Sequence, residues 1–182
     1  MGQDPITLII KTLGELYIFI LLMRFLLQLA RADYYNPISQ SIVRLTQPVL
    51  LPFQKMLPKA GRLDLSPIFV ALLVKLGIFA VLIMLAGGNI QIDVLKLLIY
   101  AAVGILDSIL NIYFWAVIGS VIISWVAPGS HHPAPILIGQ ITEPLFKLAQ
   151  KVIPPIGGLD LSPILIFLVI QIIQSQLARL VI

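Results

Sequence analysis

Only a handful of side chains in this sequence could carry chemistry. The two histidines, His131 and His132, are adjacent in a turn rich in Gly and Pro. Neighbours there cannot face one metal ion together as a helical i, i+4 pair can. Cysteine is absent, which removes a thiolate nucleophile, a thiolate metal site and a disulfide framework. The sequence has no Gly-rich phosphate loop, nucleophile elbow or His-Glu-x-x-His. Catalytic, cofactor-binding and metal-binding residues are therefore expected to be none, and the chain is not expected to be an enzyme. What remains is a set of ionisable groups in unusual places. Asp64 and Asp160 sit in two copies of Leu-Asp-Leu-Ser-Pro, and Glu15, Arg24, Lys75 and Asp107 lie within long apolar runs.

Those runs define the class of protein. Of the 182 residues, 59% are hydrophobic and 11% charged, against roughly 25% charged in a soluble domain. Mean hydropathy is +1.05. A soluble domain of this size cannot hide so much apolar surface, and disorder, collagen and disulfide scaffolds are excluded with it. An all-α integral membrane protein is expected, with lipid as its first partner. A span needs about 20 mostly apolar residues. Four segments supply one: Ile6 to Ala30, Pro67 to the helix stop at Gly87-Gly88-Asn89, part of residues 94–126, and Pro163 towards Leu180. The first is read as a retained helix, because it is of span length and no basic residue precedes it. The third covers roughly 50 Å at 1.5 Å per residue, so an interfacial lead-in before a true span of about 104–126 is expected.

The chain also repeats itself. A shift of 96 residues, without a gap, lays Thr46 and Pro48 on Thr142 and Pro144, and Gln54-Lys55 on Gln150-Lys151. Leu63-Asp64-Leu65-Ser66-Pro67-Ile68 recurs unbroken as Leu159-Asp160-Leu161-Ser162-Pro163-Ile164. The expected division is a first repeat over 6–88, an interfacial linker over 89–101 and a second repeat over 102–182. With two spans per unit both copies enter the membrane from the same side, which predicts two parallel, pseudo-symmetric repeats. Arg31, Arg44, Lys55, Lys59, Arg62, Lys147 and Lys151 lie in the long loops, against Lys11, Lys96 and Arg179 on the other side. The positive-inside rule then puts both loops in the cytoplasm and both termini outside. The net charge of +4 fits topology and contact with anionic lipid. It forms no stripe that could track phosphates, so nucleic acid is not an expected partner.

Each loop carries an amphipathic segment too short to span. Ile38, Ile42, Leu45 and Val49 recur at helical spacing in the first copy, and Leu137, Ile141, Leu145 and Leu148 in the second. These segments are read as interfacial or re-entrant helices, or else as surface helices packed on the bundle. Pro48 and Pro144 are expected to bend or break them. Ser66-Pro67 and Ser162-Pro163 read as an N-cap followed by a first-turn proline, with Gly61 and Gly157 allowing the preceding turns. Asp64 and Asp160 are not required by such a cap. They would complement the helix dipole, pair with Arg24, Arg62 or Lys75, or form a polar site present in both copies.

Charges inside a bilayer need a partner, a water path or a snorkelling route. Arg24 and Lys75 lie about 12 Å from the cytoplasmic ends of their spans, with no acid at their depth in the spans unless the loops carrying Asp64, Asp160 or Glu143 fold inwards, so snorkelling or such pairing is expected. Lys11, Glu15 and Asp107 fall at one level near the other surface, where ion pairing among them is expected; an ion or proton path is the alternative.

The twice-repeated unit of a span, a loop with Thr-x-Pro, then Pro…Gly-x-Leu-Asp-Leu-Ser-Pro and a second span, resembles the YggT family of small bacterial inner-membrane proteins. The resemblance covers about residues 15–180. It implies a four-span protein without established enzymatic activity; single-copy relatives are YlmG-like. Members of that family are linked to osmotic tolerance and potassium uptake, to cell division or nucleoid distribution, and to assembly of a chloroplast cytochrome, and the family brings no catalytic residue to transfer. Two functions follow as expectations: a non-enzymatic scaffold or assembly factor in osmotic-stress physiology, with membrane-protein partners or a second copy of itself, and an ion conduit or regulator of potassium or sodium flux. No Thr-Val-Gly-Tyr-Gly filter is present.

Overall fold

A computed structural model describes residues 4–57, 63–85, 93–155 and 160–180. Among the described residues the chain forms six α-helices: α1 (Pro5–Leu29), α2 (Pro37–Met56), α3 (Ser66–Leu85), α4 (Val94–Val126), α5 (Pro133–Val152) and α6 (Ser162–Leu180). By length and composition α1, α3, α4 and α6 can each cross a membrane. No more than 17% of the most apolar window of any of them is buried in the protein. So much outward apolar surface is what a chain solvated by lipid carries. The helix stop expected at Gly87-Gly88-Asn89 and the turns at Gly61 and Gly157 lie outside the described residues. The lead-in expected before the third span is not a separate segment: α4 is one unbroken helix of 33 residues.

Two compact units make up the chain. One holds residues up to Phe25, then Ile42–Leu106: most of α1, α2 from Ile42, α3 and the first part of α4. Its interior is built from Ile18, Leu21, Ile42, Leu50, Val70 and Ile78, all nearly inaccessible. Gly14 lets α1 meet α3 closely: a Cβ there would lie 2.5 Å from Ile78 Cδ1, so that side chain would have to move. Small residues allow this kind of close helix approach in lipid. Phe53 of α2 packs on Phe69 of α3 with ring centres 5.7 Å apart.

The other unit comprises Leu26–Ser41 and Asp107–Leu180. Val117, Ala149, Ile166 and Ile170 form its core, with Phe114 and Phe167 packed against them. α1 terminates here in a Schellman motif: Ala32 N–H donates to Leu27 O at 2.9 Å and Arg31 N–H to Gln28 O at 3.1 Å. Arg31 takes the left-handed position at φ 54°. Asn36 Oδ1 caps α2 by accepting from Ile38 N–H at 2.9 Å, and Asn36 Nδ2 donates to Pro133 O at 2.9 Å.

α2 and α5 run through their prolines. Pro48 and Pro52 lie inside α2 and Pro144 inside α5, so the break expected at Pro48 and Pro144 does not occur. Pro48 and Pro144 sit on the exposed side, and the opposite side is anchored by buried Ile42, Thr46 and Leu50 in α2 and by Ile141, Thr142 and Ala149 in α5. Tertiary packing of this kind carries a helix past one missing N–H. The apolar stripe of α2 and its buried side do not coincide. Ile38, Leu45 and Val49 are 37%, 61% and 42% exposed, and the buried line runs Ser39, Ile42, Thr46, Leu50. Most of the stripe is therefore an outward ridge, flanked by exposed Arg44 and Lys55.

Candidate functional site

The polar residues of the first unit assemble around the start of α3. The helix begins with Ser66, and Leu65 O accepts the Phe69 N–H at 3.1 Å, so Leu65 rather than Ser66 occupies the capping position. Among the described residues the buried Ser66 Oγ makes no hydrogen bond of ordinary geometry, though its closeness to the Asp64 carboxylate helps to favour the charged form. The cap is Asp64: its Oδ1 accepts the Ser66 N–H at 2.9 Å. α6 repeats this, with Asp160 Oδ1 accepting from Ser162 N–H at 2.9 Å and Ser162 Oγ likewise without a hydrogen bond of ordinary geometry among the described residues. Pro67 and Pro163 follow at the second position, where no N–H is needed. The expectation of a serine cap is thus corrected, because serine stands one residue inside the helix. The aspartate a serine cap left unexplained performs the capping itself, and its charge meets the positive helix end.

The second oxygen of Asp64 leads to a longer arrangement. Gln54 Nε2 donates to Asp64 Oδ2 at 2.6 Å, Gln47 Nε2 to Gln54 Oε1 at 3.1 Å, and Arg24 Nη2 to Gln47 Oε1 at 2.6 Å. Arg24 Nη1 also donates to Thr46 Oγ1 at 2.8 Å, and the Thr46 hydroxyl donates to Ile42 O at 2.7 Å. Every link points from the cation on α1 to the anion before α3. Burial disfavours the charged form of Asp64, but contacts with Ser66, the Gln54 amide and the Arg24 charge outweigh it and hold the carboxyl below its ordinary pKa. Of the partners expected for Asp64, Arg24 therefore acts through two glutamines and its field, and Arg62 lies outside the described residues.

Lys75 is committed elsewhere. Its ammonium pairs with Glu15, with side chains 13% and 35% exposed, and its stem runs past Gly104, where a Cβ would lie 3.1 Å from Lys75 Cε. Each cation finds an acceptor on a neighbouring helix: Arg24 on α2 and Lys75 on α1. Glu15 is thereby engaged within the first unit. In the second unit Asp107 Oδ1 accepts from Gln174 Nε2 at 3.0 Å.

The second copy retains half of the network. Gln150 Nε2 donates to Asp160 Oδ2 at 3.0 Å, and contacts with Ser162 lead in holding the Asp160 carboxyl below its ordinary range. Thr142 Oγ1 donates to Ile138 O at 2.8 Å as Thr46 does to Ile42. At the positions of Arg24 and Gln47, however, stand Ser120 and Glu143, and Glu143 pairs with Lys147 at 2.6 Å. These residues line an open cleft of about 820 Å³. Sequence reasoning found the aspartates, Arg24 and Glu143 but assigned no role to Gln47, Gln54 and Gln150; the recurrence of Gln54-Lys55 at Gln150-Lys151 was the available signal.

The residue pattern of the CCB3/YggT family matches residues 3–85 and, a second time, residues 99–181. The chain belongs to the CCB3/YggT family. Its internal repeat is thus a repeat of the CCB3/YggT unit. An uncharacterized Pseudomonas aeruginosa protein is 46% identical over 91% of this chain and 84% of its own length. A Vibrio alginolyticus protein is 36% identical over 93% of this chain and 91% of its own. Escherichia coli YggT is 30% identical over 97% of this chain and 91% of its own. No solved structure matches the chain.

Proposed function

We propose that this CCB3/YggT protein is a non-enzymatic scaffold or assembly factor of the bacterial inner membrane, acting in envelope and osmotic-stress physiology. In this reading the two repeats run parallel about an axis near the membrane normal, with α2 and α5 on the cytoplasmic side and both termini periplasmic. The observation that carries it is the use of the charges within the spans. Glu15 and Lys75 neutralise one another, and Arg24 is bound by α2. A conduit needs a continuous polar lining, whereas these groups are engaged in joining helices. The exposed Leu45 and Val49 beside Arg44 suit a helix lying against headgroups and partner proteins.

Purified protein in liposomes tests the choice directly. The expected result is potassium and sodium flux no greater than in protein-free vesicles; saturable, protein-dependent flux of either ion overturns the scaffold in favour of a conduit. In cells lacking the protein, restoration of growth at high osmolarity should be lost with Leu45→Asp although the variant still inserts at normal abundance.

A further inference from the structure

The two copies treat the same location in opposite ways. In the first, the Arg24 guanidinium fills it, with Nη1 on Thr46 Oγ1 at 2.8 Å and Nη2 on Gln47 Oε1 at 2.6 Å. A shift of 96 residues turns Arg24, Thr46 and Gln47 into Ser120, Thr142 and Glu143, and Gln54 and Asp64 into Gln150 and Asp160. All five of these second-copy residues line the open cleft of about 820 Å³. Thus the second copy removes the side chain that fills the place and makes its surroundings more acidic.

We propose that this cleft binds a guanidinium-bearing cation, for which Arg24 in the first copy is the built-in counterpart. Three observations converge. Thr142 is 1% exposed, its hydroxyl proton is directed to Ile138 O, and nothing among the described residues donates to its oxygen, the atom that accepts from Arg24 in the first copy. Glu143 replaces a neutral amide oxygen with a carboxylate, which strengthens a bond from a cationic donor. Its pair with Lys147 joins side chains 56% and 68% exposed, a contact weak enough to yield. Asp160 adds a second negative charge, with serine rather than arginine at the position of Arg24. The volume exceeds what a bare guanidinium needs and lies in the range of small-molecule sites, so the cation carries a larger body: a free molecule such as agmatine, or an arginine of a peptide segment. Planar, two-pronged donation to Thr142 and Glu143 selects guanidinium over a point-charge ammonium or alkali ion.

Trp125 lines the same cleft, and Trp115 is the chain's other tryptophan. A Trp115→Phe variant in detergent micelles therefore reports on the cleft by fluorescence, with thermal-shift titration as a second readout. Agmatine and a blocked Gly-Arg-Gly peptide should each give a saturable response, with ethanolamine and potassium at equal ionic strength giving none. Tighter binding of the peptide assigns the site to a partner chain's arginine, and equal or tighter binding of agmatine to a free cation. Glu143→Gln and Asp160→Asn should each weaken binding by about tenfold, the scale of one charge-assisted hydrogen bond. Ser120→Arg combined with Glu143→Gln rebuilds the first copy's arrangement and should abolish binding while melting no lower than the parent. No response to either guanidinium probe in both readouts, an equal response to ethanolamine or potassium, or undiminished binding in the folded Ser120→Arg, Glu143→Gln variant overturns the assignment.

Discussion

Asp64→Asn and Asp160→Asn are the same chemical change at repeat-related positions, and they should have different effects. In the first copy the new amide keeps an oxygen for the Ser66 N–H but presents an NH2 to Gln54 Nε2, which now donates to Asp64 Oδ2. Gln54 can turn its amide over, but its NH2 then meets that of Gln47; if Gln47 turns as well, its NH2 meets Arg24, which has donors only. One donor-to-donor contact must survive somewhere along the line. A part-buried donor left without an acceptor costs about 1–3 kcal/mol, and loss of the carboxylate from the helix start adds about 0.3–1 kcal/mol. We expect a total of about 2–3 kcal/mol. At about 2–4 °C per kcal/mol for a chain of this size, the melting temperature in detergent should fall on the order of 4–12 °C. In the second copy Gln150 can turn freely, since the residue at the Gln47 position is the acceptor Glu143, and Asp160→Asn should cost less than about 1 kcal/mol. Ser66→Ala should cost less than Asp64→Asn, because it keeps the Ser66 N–H bond to Asp64 Oδ1 and the Ser66 hydroxyl makes no hydrogen bond of ordinary geometry among the described residues. Thermal unfolding followed by circular dichroism separates the variants. Equal losses for Asp64→Asn and Asp160→Asn, or a Ser66→Ala loss as large as that of Asp64→Asn, would refute the directional network.

Glu15→Gln should destabilise the protein by about 3 kcal/mol, the lower end for breaking a buried pair, given the 35% exposure of Glu15. Adding Lys75→Gln should recover most of that loss, as the second copy carries the neutral Asn111 and Gln171 at these positions; a double variant no better than Glu15→Gln in the same melting assay contradicts this. Gly14→Ala should cost about 1–3 kcal/mol by overpacking against Ile78, and Ile78→Val, which removes the atom 2.5 Å from the new Cβ, should relieve part of it. Both capping carboxyls titrate below their ordinary range. Their stabilisation should therefore be complete above pH ~4 and lost as the pH falls through their folded-state values beneath it. The joint Asp64→Asn, Asp160→Asn variant should show a flatter melting-temperature profile over that acid limb.

Span positions and the repeat were legible because each is written in many residues at once: apolar runs of bilayer length, and a polar hexapeptide recurring at one spacing. The capping role of Asp64 was not legible, since Ser-Pro and Asp-x-Ser-Pro starts differ by one residue of register, which hydrogen bonds alone decide. Nor was the partner of Lys75. Depth along a helix can be read from a sequence, but which faces of α1 and α3 meet is set by contacts such as Gly14 on Ile78. Pro48 misled for a related reason. Its local cost was clear, while the packing of Ile42, Thr46 and Leu50 that overcomes it depends on the neighbouring helices.

The Glu15–Lys75 pair also bears on how the chain is made. Its members lie 60 residues apart, so α1 emerges from the ribosome with its carboxylate well before the matching ammonium exists. At about 5–20 residues per second that interval is roughly 3–12 s, long compared with the time a helix needs to form. Until Lys75 is made, the Glu15 carboxylate lacks the ammonium it meets in the fold, which disfavours release of α1 into lipid; release of α1 and α3 together is the order this pair favours.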